Sequence, residues 1–311
     1  MLSRRTLIAA AAALGLSASA SAVMAQDDTV TIGLALPSLT LDFFDQIRGA
    51  ASAHAEELGI ELIIVDANGD SARQVNQVQD MISRGIDALI YVPAGATAAA
   101  VPVRAAQRAG IPVVTLDRNP PNAPGDTFIA SDSVAGARNI GEYLVEVTGG
   151  NAQVAILQGQ IGTTPEIARD QGLMEAFEGH PGMQIVAAQP ANWLQDQGFN
   201  IAQDMLQANP DITVFVGRSD APAMGAAQAI RVANVDHRIW VVGFDGLPVA
   251  LEAVRDGTLD ATATQQTNLM GRLSIDSALA LLAGEELPAE QLLDVTLTTA
   301  ENAQEFIDNH P

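Results

Sequence analysis

Short apolar runs rich in β-branched residues alternate with amphipathic helical stretches along almost the whole of this 311-residue chain. In the helical stretches apolar residues recur at helical spacing, as at Ile47, Ala51 and Ala55. This alternation favours parallel sheets with helices on both faces, so we predict an α/β fold. Strands are predicted at 30–37, 62–66, 88–92, 113–117, 127–130, 154–158, 185–188, 214–217, 240–244 and 261–265.

The first 25 residues have the pattern of a signal peptide. Arg4 and Arg5 give a positive start, and residues 7–20 are apolar and rich in alanine. Residues 23–25 then offer small side chains at a cleavage site. The apolar stretch is too short for a membrane-spanning helix, which needs roughly 20 residues. We therefore expect residues 1–25 to be removed on export to the periplasm, by either the general secretory or the twin-arginine route.

The chain contains neither cysteine nor lysine, and its formal net charge is −22. Without cysteine there can be no disulfide, thiolate metal site or cysteine nucleophile, and without lysine no Schiff base or P-loop lysine. Nucleic acid and anionic membrane surfaces would repel so acidic a chain. We therefore predict neither nucleic-acid binding nor membrane insertion, and no cofactor or metal.

The region after the predicted leader is long enough for two domains of ordinary size, and no low-complexity linker divides it. Around residues 130–133 the pattern passes into a second set of βα units without a flexible tether. Such a boundary suits a hinge between two rigid lobes.

Polar side chains follow three of the predicted strands. Asp117 and Arg118 come at the end of one, Asp245 at the end of another and Gln265 at the end of a third. Open α/β sheets bind ligands at the carboxyl ends of their strands. Because carboxylates accept hydrogen bonds, guanidinium groups donate them and amides do both, we predict a pocket for a neutral, hydroxyl-rich molecule. An alternative for Asp245 is to cap the helix that follows it.

Five segments, taken in order, resemble one protein family. They are residues 31–34, 42–44, 85–89, 111–118 and 241–246. Together they resemble the ribose-binding branch of the type I periplasmic sugar-binding proteins of ABC transporters. The resemblance implies two doubly wound parallel-sheet lobes joined by a hinge of three crossovers. The lobes predicted in this way are 29–131 with 267–293, and 132–266 with 294–311.

The resemblance also implies that a ligand is held in the cleft between the lobes. The implied ligand-binding residues are Phe43, Phe44, Asp117 and Arg118 in the first lobe, Arg169, Trp193, Ser219 and Asp245 in the second, and Gln265 at the hinge. The implied function is capture of a monosaccharide or polyol of pentose or furanose size and its delivery to an ABC permease. A second role at a chemoreceptor and a monomeric state are further implications.

The chain departs from the ribose-binding pattern at the cleft. Leu41 and Ser219 stand where ribose binders carry Asn, Arg218 has no usual counterpart, and the loop at 159–165 is longer. The ligand therefore stays open among another pentose, a furanose, a sugar alcohol, a mildly acidic sugar and a signalling furanose such as autoinducer-2. We expect Ser219 to face the cleft, and Arg218 to point away into a surface ion pair of small energetic effect.

Two other classes of protein share parts of this pattern. An enzyme would need catalytic motifs, but the four histidines form no HExxH pattern and no GxSxG motif is present, so no catalytic residue is predicted. A sugar-responsive repressor would carry a basic DNA-binding segment ahead of the core. This chain has a predicted export signal there instead, so a binding protein is the better interpretation.

Overall fold

The computed structural model describes residues 29–311, and the predicted signal peptide lies outside them. The strands are β1 (Thr31–Leu36), β2 (Glu61–Asp66), β3 (Ala88–Tyr91), β4 (Val113–Leu116), β5 (Thr127–Ser131), β6 (Asn151–Gln158), β7 (Gly182–Pro190), β8 (Val214–Gly217), β9 (Trp240–Val242), β10 (Ala261–Thr264), β11 (Glu290–Leu293) and β12 (Thr296–Thr299). Every strand predicted from the sequence is confirmed.

These strands form two six-stranded sheets. The first sheet has the order β2-β1-β3-β4-β5-β11 and is parallel throughout. The second has the order β7-β6-β8-β9-β10-β12, and only β12 runs antiparallel to its neighbour among the described strands. In both sheets the strand order reverses beside the first strand, which is the arrangement that places a ligand crevice at the carboxyl ends of the strands.

Helices follow the strands in alternation. They are α1 (Asp42–Leu58), α2 (Ser71–Ser83), α3 (Ala100–Arg108), α4 (Ser133–Thr148), α5 (Thr164–Phe177), α6 (Gln195–Ala208), α7 (Asp220–Ala233), α8 (Pro248–Arg255), α9 (Thr267–Leu282) and α10 (Ala303–Asp308). Across residues 29–311 no helix has the length and apolar character needed to cross a membrane.

The chain crosses between the two sheets three times, which confirms the predicted doubly wound lobes and their three-crossover hinge. It leaves the first sheet after β5, returns after β10 and leaves again after β11. The crossings lie side by side, because the Asp132 amide donates to the Leu293 carbonyl over 2.8 Å and Gln266 Nε2 donates to the Asp294 carbonyl over 3.0 Å. The crossing points support the lobe limits given above, which stay a prediction.

Close packing of α9 on α1 holds the returning chain against the first sheet. At Gly271 of α9 a β-carbon would lie 2.6 Å from the Ile47 carbonyl oxygen, so only glycine allows the two helices to come this close. Phe43 and Phe44 begin α1, and α9 begins next to Gln265. This contact therefore fixes two parts of the predicted site relative to each other.

Candidate ligand-binding site

A cavity of about 190 Å³ lies between the lobes at the carboxyl ends of their strands. Eight of the nine predicted site residues line it: Phe43, Phe44, Asp117, Arg118, Arg169, Trp193, Ser219 and Asp245. Other residues of its wall are Thr40, Leu41, Asp42, Pro165, Leu194, Gln195, Ala221 and Leu247. Six of these eight lie within two residues of a predicted one in the chain, and apart from Leu41, which the sequence comparison with ribose binders already placed at the cleft, that proximity is the sequence signal that could have found them.

The first-lobe polar pair follows β4 directly. Asp117 has a φ of 57°, a left-handed conformation that Asp adopts more readily than most residues. Its Oδ2 lies 3.6 Å from Arg118 Nε, and both side chains are buried. Burial raises the pKa of the Asp117 carboxyl, and the positive charges of Arg118 and Arg169 oppose that rise. The pair can offer both a hydrogen-bond acceptor and a donor to one ligand.

Arg118 also joins the two lobes. Its Nη1 donates to the Pro93 carbonyl of the first lobe over 3.0 Å and to Gln160 Oε1 of the second over 3.2 Å. Its guanidinium lies over the Phe44 ring, 5.3 Å from the centroid. Sequence reasoning missed Gln160, because it lies 42 residues further along the chain in a loop without a periodic pattern.

Aromatic rings form opposite walls of the cavity. Phe43 and Phe44 meet edge to face with centroids 5.1 Å apart at the first turn of α1. Trp193 comes from the second lobe with a φ of 69°, which is uncommon for a bulky side chain. Strained residues of this kind gather at ligand sites, where the surrounding structure holds them in place.

Arg169, on α5, is the central cation of the second lobe. Its guanidinium lies 3.9 Å from the Phe244 centroid and 5.4 Å from the Trp193 centroid. Its Nη1 lies 3.5 Å from Asp245 Oδ1 and donates to the carbonyl of Arg218. Stacking and ion pairing thus hold one edge of the guanidinium, and its Nε has no hydrogen-bond partner within residues 29–311.

Asp245 and Gln265 meet where β9 and β10 end. Gln265 Nε2 donates to Asp245 Oδ1 over 2.8 Å, and Gln265 is fully buried behind the cavity wall rather than on it. Burial raises the pKa of Asp245 well above its usual value, against the pull of Arg169. The alternative role of Asp245 as a helix cap is wrong: the N-cap of α8 is Leu247.

Asp220 organises this loop instead, and sequence reasoning missed it. Its Oδ2 accepts from the Leu247 amide over 2.8 Å and its Oδ1 from Thr262 Oγ1 over 2.6 Å. Burial raises the pKa of Asp220 to about 6, while these hydrogen bonds favour the charged form. Asp220 therefore ties the loop that carries Asp245 to the neighbouring strand.

Ser219 faces the cavity and Arg218 points away from it, as the alternation of strand side chains predicts. The expectation of a surface ion pair for Arg218 is wrong, however, since this side chain is only 2% exposed. Its Nη2 donates to Asp170 and its Nη1 to the Arg169 carbonyl over 2.7 Å. The fold places α5 directly behind the end of β8, which covers the guanidinium.

Several buried polar atoms around the cavity have no hydrogen-bond partner among the described residues. On the cavity wall they are Arg118 Nε, Arg169 Nε, Trp193 Nε1 and Ser219 Oγ. Buried polar groups in folded proteins are almost always hydrogen-bonded, so donors and acceptors gathered here suit a ligand that carries both. Ligand contact by the individual residues stays a prediction.

Histidine takes no part in the wall of this cavity. His54 is buried between α1 and α9, where its Nε2 lies 2.7 Å from Asp276 Oδ1. His237 contacts the Ile212 carbonyl, and His310 contacts the Gly246 carbonyl. These contacts are structural, in keeping with the packing or surface roles that the sequence favours.

Two α/β lobes with a polar and aromatic cavity between them define a solute-binding protein of the two-lobed class. Residues 32–286 match the family model described as a periplasmic binding protein domain. The chain is 35% identical over 286 residues to the ribose import binding protein RbsB of Escherichia coli, covering 92% of this chain and 95% of that protein. It therefore belongs to the periplasmic binding proteins, in the sugar-binding branch that serves ABC transporters.

Solved structures show the same similarity. A Bacillus halodurans solute-binding protein with bound myo-inositol has a TM-score of 0.85 and 28% identity, covering 90% of this chain and 98% of that one. The arabinose-transporter binding protein of Shewanella, bound to L-arabinofuranose, has a TM-score of 0.84 and 29% identity, covering 90% and 95%. Both of these relatives are binding proteins of ABC transporters.

Proposed function

We propose that this protein captures a neutral monosaccharide or polyol of pentose or furanose size in the cavity between its lobes and delivers it to an ABC permease. The observation that carries the proposal is the set of unpartnered donors and acceptors around a cavity of about 190 Å³. That volume lies below the roughly 300–1,000 Å³ typical of drug-sized ligands, so a single sugar ring is favoured over a larger saccharide. Ribose, myo-inositol and arabinofuranose, named for the relatives, are of this class.

The charge balance of the cavity supports a neutral ligand. Its two buried arginines each have a carboxylate within ion-pair distance: Arg118 lies 3.6 Å from Asp117, and Arg169 lies 3.5 Å from Asp245. Arg218, the remaining cation nearby, faces Glu166 and Asp170 instead. An acidic sugar would thus bring a carboxylate into a desolvated site whose cations are already paired, which is costly.

A thermal-shift screen of the purified protein tests this proposal. We expect D-ribose, L-arabinose, D-allose, xylitol or myo-inositol to raise the melting temperature, because a ligand that binds only the folded state stabilises it. At a hundred times the dissociation constant the gain is about 2.7 kcal/mol, which corresponds to a shift of about 5–10 °C for a chain of this size. Asp245→Asn serves as the control variant and should lose most of the shift. A shift with glucuronic acid and with none of the neutral compounds would contradict neutrality.

We further propose that residues 1–25 are a signal peptide and that the mature protein works in the periplasm. The positive start, the apolar stretch and the small residues at 23–25 support cleavage before Gln26. Intact-mass measurement of the protein from a periplasmic fraction should therefore give a chain that begins at Gln26. Recovery of soluble protein with residues 1–25 still attached would refute the assignment. A monomeric state and a second role at a chemoreceptor also stay proposals.

A further inference from the structure

Arg218 lies behind the cavity and is bonded reciprocally to Arg169. Arg218 Nη1 donates to the Arg169 carbonyl over 2.7 Å, and Arg169 Nη1 donates to the Arg218 carbonyl. Arg218 is 2% exposed and Arg169 is 3% exposed, so water does not compete for these bonds. Each guanidinium therefore holds the backbone carbonyl of the other arginine in place.

Glu166 extends this arrangement toward the first lobe. Its Oε1 lies 3.7 Å from Arg218 Nε, and its Oε2 accepts from the Gly159 amide over 2.6 Å. The next residue, Gln160, accepts from Arg118 of the opposite lobe. Polar contacts therefore connect Arg118 to Arg169. They run through the turn at Gly159 and then through Glu166 and Arg218.

A buried ion pair of this type adds little to folding stability, because the cost of desolvating both charges offsets their attraction. Burial raises the pKa of Glu166, mainly by desolvation, and lowers that of Arg218 in the same way. The Glu166–Arg218 pair instead fixes the positions of the groups bonded to it. The Arg169 guanidinium needs this because it lines the cavity and its buried Nε has no hydrogen-bond partner among the described residues.

We propose that Arg218 and Glu166 are positioning residues for sugar binding, which together hold Arg169 and the turn at Gly159 in the geometry that the ligand requires. The inference rests on the proposed function, since it assumes that a sugar occupies this cavity. Neither side chain lines the cavity wall, so both act through their neighbours. Arg218 thus has a role in binding even though its side chain points away from the cleft.

The double variant Glu166→Gln/Arg218→Met removes both charges and keeps an oxygen that can accept from the Gly159 amide. The half-exposed Asp170 can replace its lost partner with water, but the buried Arg169 carbonyl loses its donor, so the unliganded melting temperature should fall by no more than about 10 °C. Calorimetry with D-ribose, D-allose and myo-inositol should nevertheless show affinity lower by about fivefold or more. A smaller loss would overturn the proposal.

The fluorescence of Trp193 reports on Arg169 directly, because the two side chains are in contact within one lobe. The chain has two tryptophans, so a Trp240→Phe background leaves Trp193 as the reporter. The emission of the unliganded double variant should differ from that of this parent. Unchanged emission would overturn the positioning role even if affinity fell.

A matched control is the Arg138–Glu175 pair, which also uses α5 but is partly exposed, with side chains 43% and 36% accessible. Arg138→Gln/Glu175→Gln should change neither affinity nor emission. If the first double variant does not fold, Arg218→Lys replaces it in the same measurements. Lysine keeps the charge beside Glu166 but cannot form the several hydrogen bonds of a planar guanidinium. This variant should bind the sugar about fivefold more weakly or worse. Failure of the wild-type chain to bind any of the three sugars would instead overturn the proposed function.

Discussion

Replacing Gly159 with alanine is expected to cause the largest loss of sugar binding of any single methyl group added to this protein. A β-carbon at Gly159 would lie 1.9 Å from Trp193 Cη2 and 2.1 Å from Cζ2, far inside van der Waals contact. Since φ at Gly159 is not in the left-handed region, the backbone itself accepts alanine. The indole must therefore move, and it forms a wall of the cavity.

Loss of a buried aromatic anchor commonly costs about 2–4 kcal/mol of binding free energy, which corresponds to roughly 30- to 700-fold in affinity. We expect a loss of this size for Gly159→Ala, measured by calorimetry with the sugar that gives the largest thermal shift. Gly49→Ala is the control, because a β-carbon there meets no atom within 4 Å and the residue lies on α1. Wild-type affinity in the Gly159→Ala protein would show that Trp193 does not contact the ligand.

Short-range patterns predicted the α/β fold and three residues of the cavity wall, because the relevant signals are local, and the family resemblance supplied five more. Strand ends carry Asp117, Arg118 and Asp245, and the parallel sheets bring those ends together whatever the detailed packing. By contrast, β11 and β12 escaped prediction. They are short and only partly buried, so they lack the apolar runs that mark the buried strands.

Burial of Arg218 could not be predicted for a different reason. Alternation along β8 gives the direction of its side chain, but its partners Glu166 and Asp170 lie about fifty residues earlier in the chain. Only the packing of α5 behind β8 makes an apparently free arginine into a buried one. The same holds for Gln160, whose bond to Arg118 exists only when the two lobes are together.

Gln265 illustrates a limit of arguments from strand ends. The sequence predicts a polar residue at the end of β10, and one is present, but the pleat turns it behind Asp245 rather than onto the cavity wall. Its amide orients the carboxylate instead. Position along a strand therefore predicts which residues gather at the site better than it predicts which of them touch a ligand.

Removal of the Asp117 carboxylate is the second substitution for which we expect a large effect. The carboxylate lies at the cavity wall beside Arg118, and it accepts no hydrogen bond from another described residue. Ligand hydroxyls are its natural partners. A hydrogen bond to a buried charged group contributes about 1.5–3 kcal/mol, so Asp117→Ala should weaken sugar binding by roughly ten- to a hundredfold or more.

Two variants separate the charge of Asp117 from its backbone conformation. Asn tolerates the left-handed region at least as well as Asp, whereas alanine at a φ of 57° is strained. Asp117→Asn should thus lose affinity with little change in unliganded stability, and Asp117→Ala should lose both. Calorimetry for binding and thermal unfolding without sugar measure the two effects independently. If Asp117→Asn stays folded and binds the sugar as tightly as wild type, the carboxylate is not a ligand contact. The charge balance of the cavity would then depend on Arg118 and its other neighbours.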